Sequence, residues 1–195
     1  MNLKNKYLLM LCVIVVNMIA FSGLKAQAQA NDKTTAKAFV QGFYDWYVPL
    51  YNKFVPGKTN QIPSEKLALT RKKDCFDTKL FNALYGYYNT PTPKGAEDVL
   101  GIDMDPFLAA QDNGASYTVT QVKSKGNNFL LSITTEPDYQ PKGAKSKANS
   151  PVIVEVTKIN GHWKLTDLWY DNGTDIFDLI TAYNKDVKAT LALKH

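Results

Sequence analysis

Cysteine and histidine are scarce in this sequence, with two of each in 195 residues: Cys12 and Cys75, His162 and His195. His162 adjoins an Asn-Gly turn and His195 is the final residue, which argues against a histidine-dependent triad or a His-rich zinc site. Cys12 falls inside an apolar run near the start, so Cys75 is the one thiol of the remaining chain and has no partner for an intramolecular disulfide. With no histidine near it in sequence and Phe76 beside it, Cys75 reads as a small buried hydrophobe rather than a nucleophile. No glycine-rich loop has the pattern that cradles a phosphate, and no internal repeat is visible. Basic residues cluster no further than Arg71-Lys72-Lys73, which reads as a solvated helix end, so no nucleic-acid partner is expected.

The start of the chain is informative. Lys4 and Lys6 precede an apolar run over residues 7–24, and Ala26-Gln27-Ala28-Gln29-Ala30 follows it. Basic, apolar and small residues in that order are the pattern of a cleavable signal peptide. The run approaches the length of about 20 residues that spans a bilayer, but Asn17, Ser22, Gly23 and the alternating alanines favour cleavage after Ala28 or Ala30. Lipid attachment at Cys12 is disfavoured, because Leu11 precedes it where a small residue is wanted. The expectation is residues 1–30 as signal peptide and 31–195 as one domain, exported to the periplasm or beyond, with no stable membrane anchor after cleavage. Such cleavage takes Lys4, Lys6 and Lys25 from 23 basic residues, leaving 20 against 18 acidic ones, a charge of +2. About 165 residues suffice for a core that stabilises the fold alone.

Along that domain, residues 34–54 carry Phe39, Phe43, Trp46, Tyr47, Leu50 and Phe54 at helical spacing, widened by Val40, Tyr44 and Tyr51. Pro49 removes a donor and predicts a kink. A second helix is expected after Pro63, with Ser64 or Gln61 as cap, breaking near Asp74. A third is expected from Asp77 or Thr78, with Leu80, Phe81, Leu84, Tyr85 and Tyr88 on one face and Asn89, Pro91 and Pro93 ending it. From Tyr117 the period changes to two, through Phe129, Leu131 and Ile133, then Val152, Val154 and Val156, then residues 163–169. Gly126-Asn127 and Asn160-Gly161 suit hairpin turns, and residues 137–150 form a long polar loop. A last helix is predicted with Thr174 as N-cap and Ile176, Leu179, Ile180, Tyr183 and Val187 inward. The fold class is α+β: N-terminal helices packed on a curved antiparallel four-stranded meander, closed by a C-terminal helix.

Three stretches carry a resemblance: Phe43-Tyr44-Asp45-Trp46-Tyr47, the ten residues from Asp103 to Asp112, and Trp163-Lys164-Leu165-Thr166-Asp167-Leu168. Over about residues 36–190 the chain resembles a family of bacterial exported proteins and lipoproteins of uncharacterised function, similar to the nuclear-transport-factor-2-like superfamily. That superfamily is a cone-shaped α+β fold that also includes ketosteroid isomerase and scytalone dehydratase. The resemblance implies the cone and a pairing of copies through the sheet, a possible homodimer. It does not imply one activity, because the same fold hosts enzymes, carriers, immunity partners and assembly modules.

Asp103, Asp105, Gln111 and Asp112 do not follow calcium-loop spacing, and Pro106 and Phe107 occupy the middle of the stretch. No metal and no cofactor is expected. Asp105 reads as the cap of a short helix begun by Pro106, with Phe107 and Leu108 filling the base of the fold. Gln111 and Asp112 lead into the sheet, where a desolvated carboxylate could move protons. Tyr44, Trp46, Tyr47, Trp169 and Tyr170 are core residues first, or else the lining of an apolar pocket with hydroxyl and indole donors. The candidate ligand-binding set is therefore Tyr44, Tyr47, Gln111, Asp112, Trp169 and Tyr170. The expected function is a non-enzymatic module engaging a small apolar or amphiphilic ligand or a protein partner. Two alternatives stay open: a hydratase- or isomerase-like enzyme with Asp112 as base and Tyr44 or Tyr170 polarising the substrate, and an immunity-type or envelope-assembly protein.

Overall fold

The structure, a computed structural model, describes residues 3–55, 58, 61–97, 99, 101–109, 116–136 and 152–193. The expected polar loop at 137–150 lies outside the described residues. Two compact units divide the chain, residues 1–36 and 37–195. The first is helical from Leu3, the start of α1 (Leu3–Tyr51). Near its end the Thr34 and Thr35 hydroxyls donate back to the carbonyls of Ala30 and Asn31 at 3.0 and 3.1 Å, the usual outlet for a hydroxyl within a helix. No helix among the described residues is long and apolar enough to cross a membrane.

The second unit holds the rest of α1, then α2 (Ser64–Arg71), a 3₁₀ turn (Lys73–Cys75), α3 (Thr78–Asn89), β1 (Ser116–Lys125), β2 (Asn128–Glu136), β3 (Val152–Ile159), β4 (His162–Tyr170) and α4 (Ile176–Leu193). The strands form one antiparallel sheet in the order β1-β2-β3-β4, the α+β meander that the alternation predicts. Asn160 and Gly161 both take positive φ, 51° and 81°, the backbone of a two-residue hairpin turn. Gly126 likewise stands at 61°.

One face of the sheet is apolar. Val119, Leu131, Ile133, Val152, Val154, Val156, Leu165 and Leu168 are buried there, and alternation sends their neighbours to the other face. Two bulges interrupt the pairing, placing Thr120 and Thr166 as extra residues. At the first, α1 completes the edge of β1: Gln41 Oε1 accepts from the Val119 N–H at 2.9 Å and its amide donates to the Tyr117 carbonyl at 3.1 Å. The buried Phe43, Tyr44 and Tyr47 of α1 join Phe76 and Phe107 in a set of aromatic contacts, with Phe43 touching all four of the others.

Several local expectations change. Pro49 stands in the last turn of α1, which ends at Tyr51, so it marks the end of the helix more than its middle. Neither Ser64 nor Gln61 caps α2; Pro63 occupies that position without a side-chain bond, and Gln61 instead accepts from the Val55 N–H at 2.8 Å. Asp77 does cap α3, accepting from the Leu80 N–H at 2.7 Å. Tyr85, on the predicted apolar stripe of that helix, is exposed. Thr174 does not cap α4: Asp175 accepts from the Asp178 N–H at 2.8 Å, while the Thr174 hydroxyl turns back to Asn172.

Candidate functional site

Asp105 is the most deeply buried carboxyl among the described residues, only 4% exposed. It caps a turn and not a helix. Its Oδ1 accepts from the N–H groups of Phe107 and Leu108 at 2.8 and 3.0 Å. The Ala109 N–H closes the turn on the Asp105 carbonyl at 2.8 Å, and Ala109 itself takes a left-handed φ of 48°. Pro106 therefore starts a single turn that the chain leaves at once.

Three tyrosines from two elements hold this turn. Tyr47 on α1 donates its hydroxyl to Asp105 Oδ2. Tyr44, one turn earlier, donates to the Phe107 carbonyl at 2.7 Å, and Tyr170 at the end of β4 donates to the Pro106 carbonyl at 3.1 Å. Spacing by three residues puts Tyr44 and Tyr47 on one helix face, so both reach the same turn. Burial raises all three hydroxyls well above the usual tyrosine range, with the Asp105 charge adding to it.

Burial pushes Asp105 up to about 8, and the charge of Glu65 pushes the same way; the Tyr47 hydroxyl and the two backbone N–H groups lower it without overcoming desolvation. Glu65, in the first turn of α2, is itself raised by burial. The group at the centre is thus a carboxylic acid at neutral pH, protonated and hydrogen-bonded. Such a group can donate a proton in principle. Here its oxygens are already occupied by partners within the protein.

A second polar cluster lies on the opposite face of the sheet. Glu155 on β3 pairs with Lys125 on β1 at 2.8 Å and accepts from the Asn128 amide. Burial raises its carboxyl, but Lys125 and Asn128 outweigh that and hold it below the ordinary value. The Trp169 indole approaches closely enough to help, although its buried Nε1 makes no bond of normal hydrogen-bond geometry. We take it as a weak electrostatic contact, since donor alignment decides hydrogen-bond strength. Asp167, paired across β3–β4 with Glu155, is raised to about 7 by burial, with Asp175 and Glu155 adding to it.

The structure thus brings Tyr44, Tyr47 and Tyr170 together and leaves Trp169 on the other side of the sheet, alternating with the buried Leu168 and Tyr170. Gln111 and Asp112 lie outside the described residues. Sequence reasoning did not single out Glu65. It lies 40 positions from Asp105, and no local pattern couples the two. Among the described residues no group of three or more His, Cys, Asp or Glu side chains is placed to hold a metal.

Cys75 is half-buried, and burial raises its thiol above the ordinary range against the pull of Lys72 and Lys164. A thiol of that kind is mostly protonated at neutral pH. Alkylation by iodoacetamide near neutrality should run slower than that of a free cysteine; a faster rate would reveal an activated thiolate and reopen the nucleophile reading.

The concave features described are open clefts of roughly 310 to 360 Å³ at the surface of the second unit. One lies by the start of α3, among Phe76, Phe81, Ile159 and Lys164. Another runs along α4, among Ile102, Met104, Leu179 and Tyr183. A third lies where α1 ends beside α2, among Leu50, Lys53, Phe54, Ile62, Leu67 and Arg71. No family model, no curated protein and no solved structure matches the chain.

Proposed function

We propose that the domain is a non-enzymatic binding module for a small amphiphilic ligand, exported and freed of its first 28 or 30 residues. One observation carries the reading: the hydroxyls of Tyr44, Tyr47 and Tyr170 and both oxygens of Asp105 are consumed within the fold. The apolar clefts with charged rims stay open to solvent. An enzyme needs a polar group facing substrate with capacity to spare, and the groups around the described Asp105 turn are engaged with one another. Clefts of these volumes sit at the small end of ligand sites, about 300 to 1,000 Å³, and combine an apolar floor with a few polar groups as such sites do. The likeness to the nuclear-transport-factor-2-like fold is compatible with a carrier role and remains part of the proposal.

Native mass spectrometry of the protein purified gently from its own host tests this. The expected result is a chain shortened by 28 or 30 residues, carrying a stoichiometric small molecule with an apolar part. A ligand-free chain that copurifies with an envelope protein would contradict it in favour of a protein-partner role, and the same spectrum reads whether the protein is a homodimer.

A further inference from the structure

The cleft where α1 ends beside α2 has a charge pattern that the others lack. Its floor is apolar, from Leu50, Phe54, Ile62 and Leu67, and among its described lining residues the ionisable ones are the exposed Lys53 and Arg71. Neither cation is paired with a described carboxylate, whereas Lys125 is paired with Glu155. Both cations follow or end a helix: Lys53 lies two residues past Tyr51, its N–H bonded to the Leu50 carbonyl at 3.2 Å, and Arg71 is the last residue of α2. The partial negative charge of a helix C-terminus favours cations in such places.

Apolar surface is left in water at the same spot. Ile62 is 57% exposed and Val55 52%, and the Val55 N–H bond to the Gln61 side chain ties these two stretches together. Large apolar side chains left exposed beside an apolar groove, rimmed by charge of one sign, mark a binding surface more than a solvated face. The other two clefts differ in sign: the one by α3 mixes Lys73 and Lys164 with Asp74 and Asp77, and the one along α4 carries Asp103 and Asp186.

From this we infer that the α1–α2 cleft takes a single-chain anionic amphiphile of the fatty-acid type, its alkyl chain along Leu50, Phe54, Ile62 and Leu67 and its carboxylate between Lys53 and Arg71. The inference rests on the binding-module reading above and adds to it the ligand's charge and place. A volume of about 310 Å³, open along one side, suits a medium-length chain that keeps one flank in water. Two exposed cations add modest attraction, weakened by salt, so most of the affinity comes from apolar burial and the charges select the head group.

The test is calorimetric titration of the protein from its host with laurate, dodecyltrimethylammonium and a neutral dodecyl glycoside, each below its micelle concentration. It is repeated with the Lys53→Glu/Arg71→Glu variant, whose fold is checked by circular dichroism. Laurate should bind one to one and at least about tenfold more tightly than the cationic amphiphile, a difference of about 1.4 kcal/mol, and the double reversal should remove that preference. Amide shifts on laurate addition should map to residues 50–54 and 61–71. Equal laurate binding by the variant, or equal binding of the cationic amphiphile, would overturn the inference while leaving the binding-module reading in place. Failure of all three amphiphiles to bind would overturn both.

Discussion

Asp105→Asn should match the wild type in stability at about pH 4, exceed it near neutral pH, and take one proton out of the pH dependence. Asp105 titrates near 8 when folded and near 4 when unfolded. Between those values the folded chain holds a proton that the unfolded chain has released. Stability from this group is therefore fully present below about pH 4, and is lost by up to about 1.4 kcal/mol per pH unit as pH rises to about 8. Asp167 and Glu65, also raised by burial, act in the same sense. Glu155, held low, acts in the opposite sense and only at more acid pH. An amide matches a neutral carboxyl in shape: its oxygen can accept from Phe107 and Leu108, and its nitrogen can donate to the Tyr47 oxygen once that hydroxyl turns its own hydrogen away. Asn at this position should thus flatten the urea-unfolding profile between about pH 7 and about pH 8 and make it shallower below. At about pH 4, where the carboxyl is neutral in the folded chain and costs nothing to protonate, Asp105→Ala should cost about 3 kcal/mol, because two backbone N–H groups and the Tyr47 hydroxyl lose their partner while buried. An Ala variant as stable as the wild type would mean that the turn does not depend on this carboxyl.

Phe107→Ala should be more damaging still. Phe107 is 1% exposed and meets Phe43, Tyr47 and Phe76, with ring centroids 5.3, 5.0 and 5.8 Å away. Removing a buried phenyl ring loses its transfer energy and leaves a cavity whose rigid aromatic walls collapse poorly, at a cost of about 4 kcal/mol. For a domain of this size that lowers Tm by about 10 °C. Phe107→Leu fills much of the space and should cost less than half as much. Losses of similar size for both variants would show that the ring contacts, more than volume, hold the turn.

The legible parts of this fold were those set by neighbours in sequence. Alternation at Val152, Val154 and Val156 fixed a buried strand, Asn160-Gly161 supplied the positive φ angles of its hairpin, and Asp77 capped the helix behind it. The choice between adjacent caps was less legible: Thr174 and Asp175 both suit an N-cap, and the Asn172 side chain settles the matter by drawing off the Thr174 hydroxyl. Tyr85 keeps the helical period yet stands in water, because period alone does not say where the covering elements end.

The site was legible in residue types but not in partners. Tyr44, Tyr47 and Tyr170 announce themselves as aromatic residues with hydroxyls to place, and Asp105 as a cap. That Tyr47 caps the capping residue from 58 positions away, or that the charge of Glu65 bears on the same carboxyl, depends on how α1 and α2 pack, which no local pattern records. Strand alternation does separate Trp169 from Tyr170, and it was the one signal available for parting the aromatic set.

The most direct test of the claim that this interior is structural, with binding confined to the surface, is a carbon-detected NMR titration of the Asp105 side-chain carboxyl, with and without a bound amphiphile. The account predicts a midpoint near 8 that the ligand leaves unmoved. A midpoint near the ordinary 4, or one that shifts when the ligand binds, would place Asp105 in contact with water or ligand and contradict it.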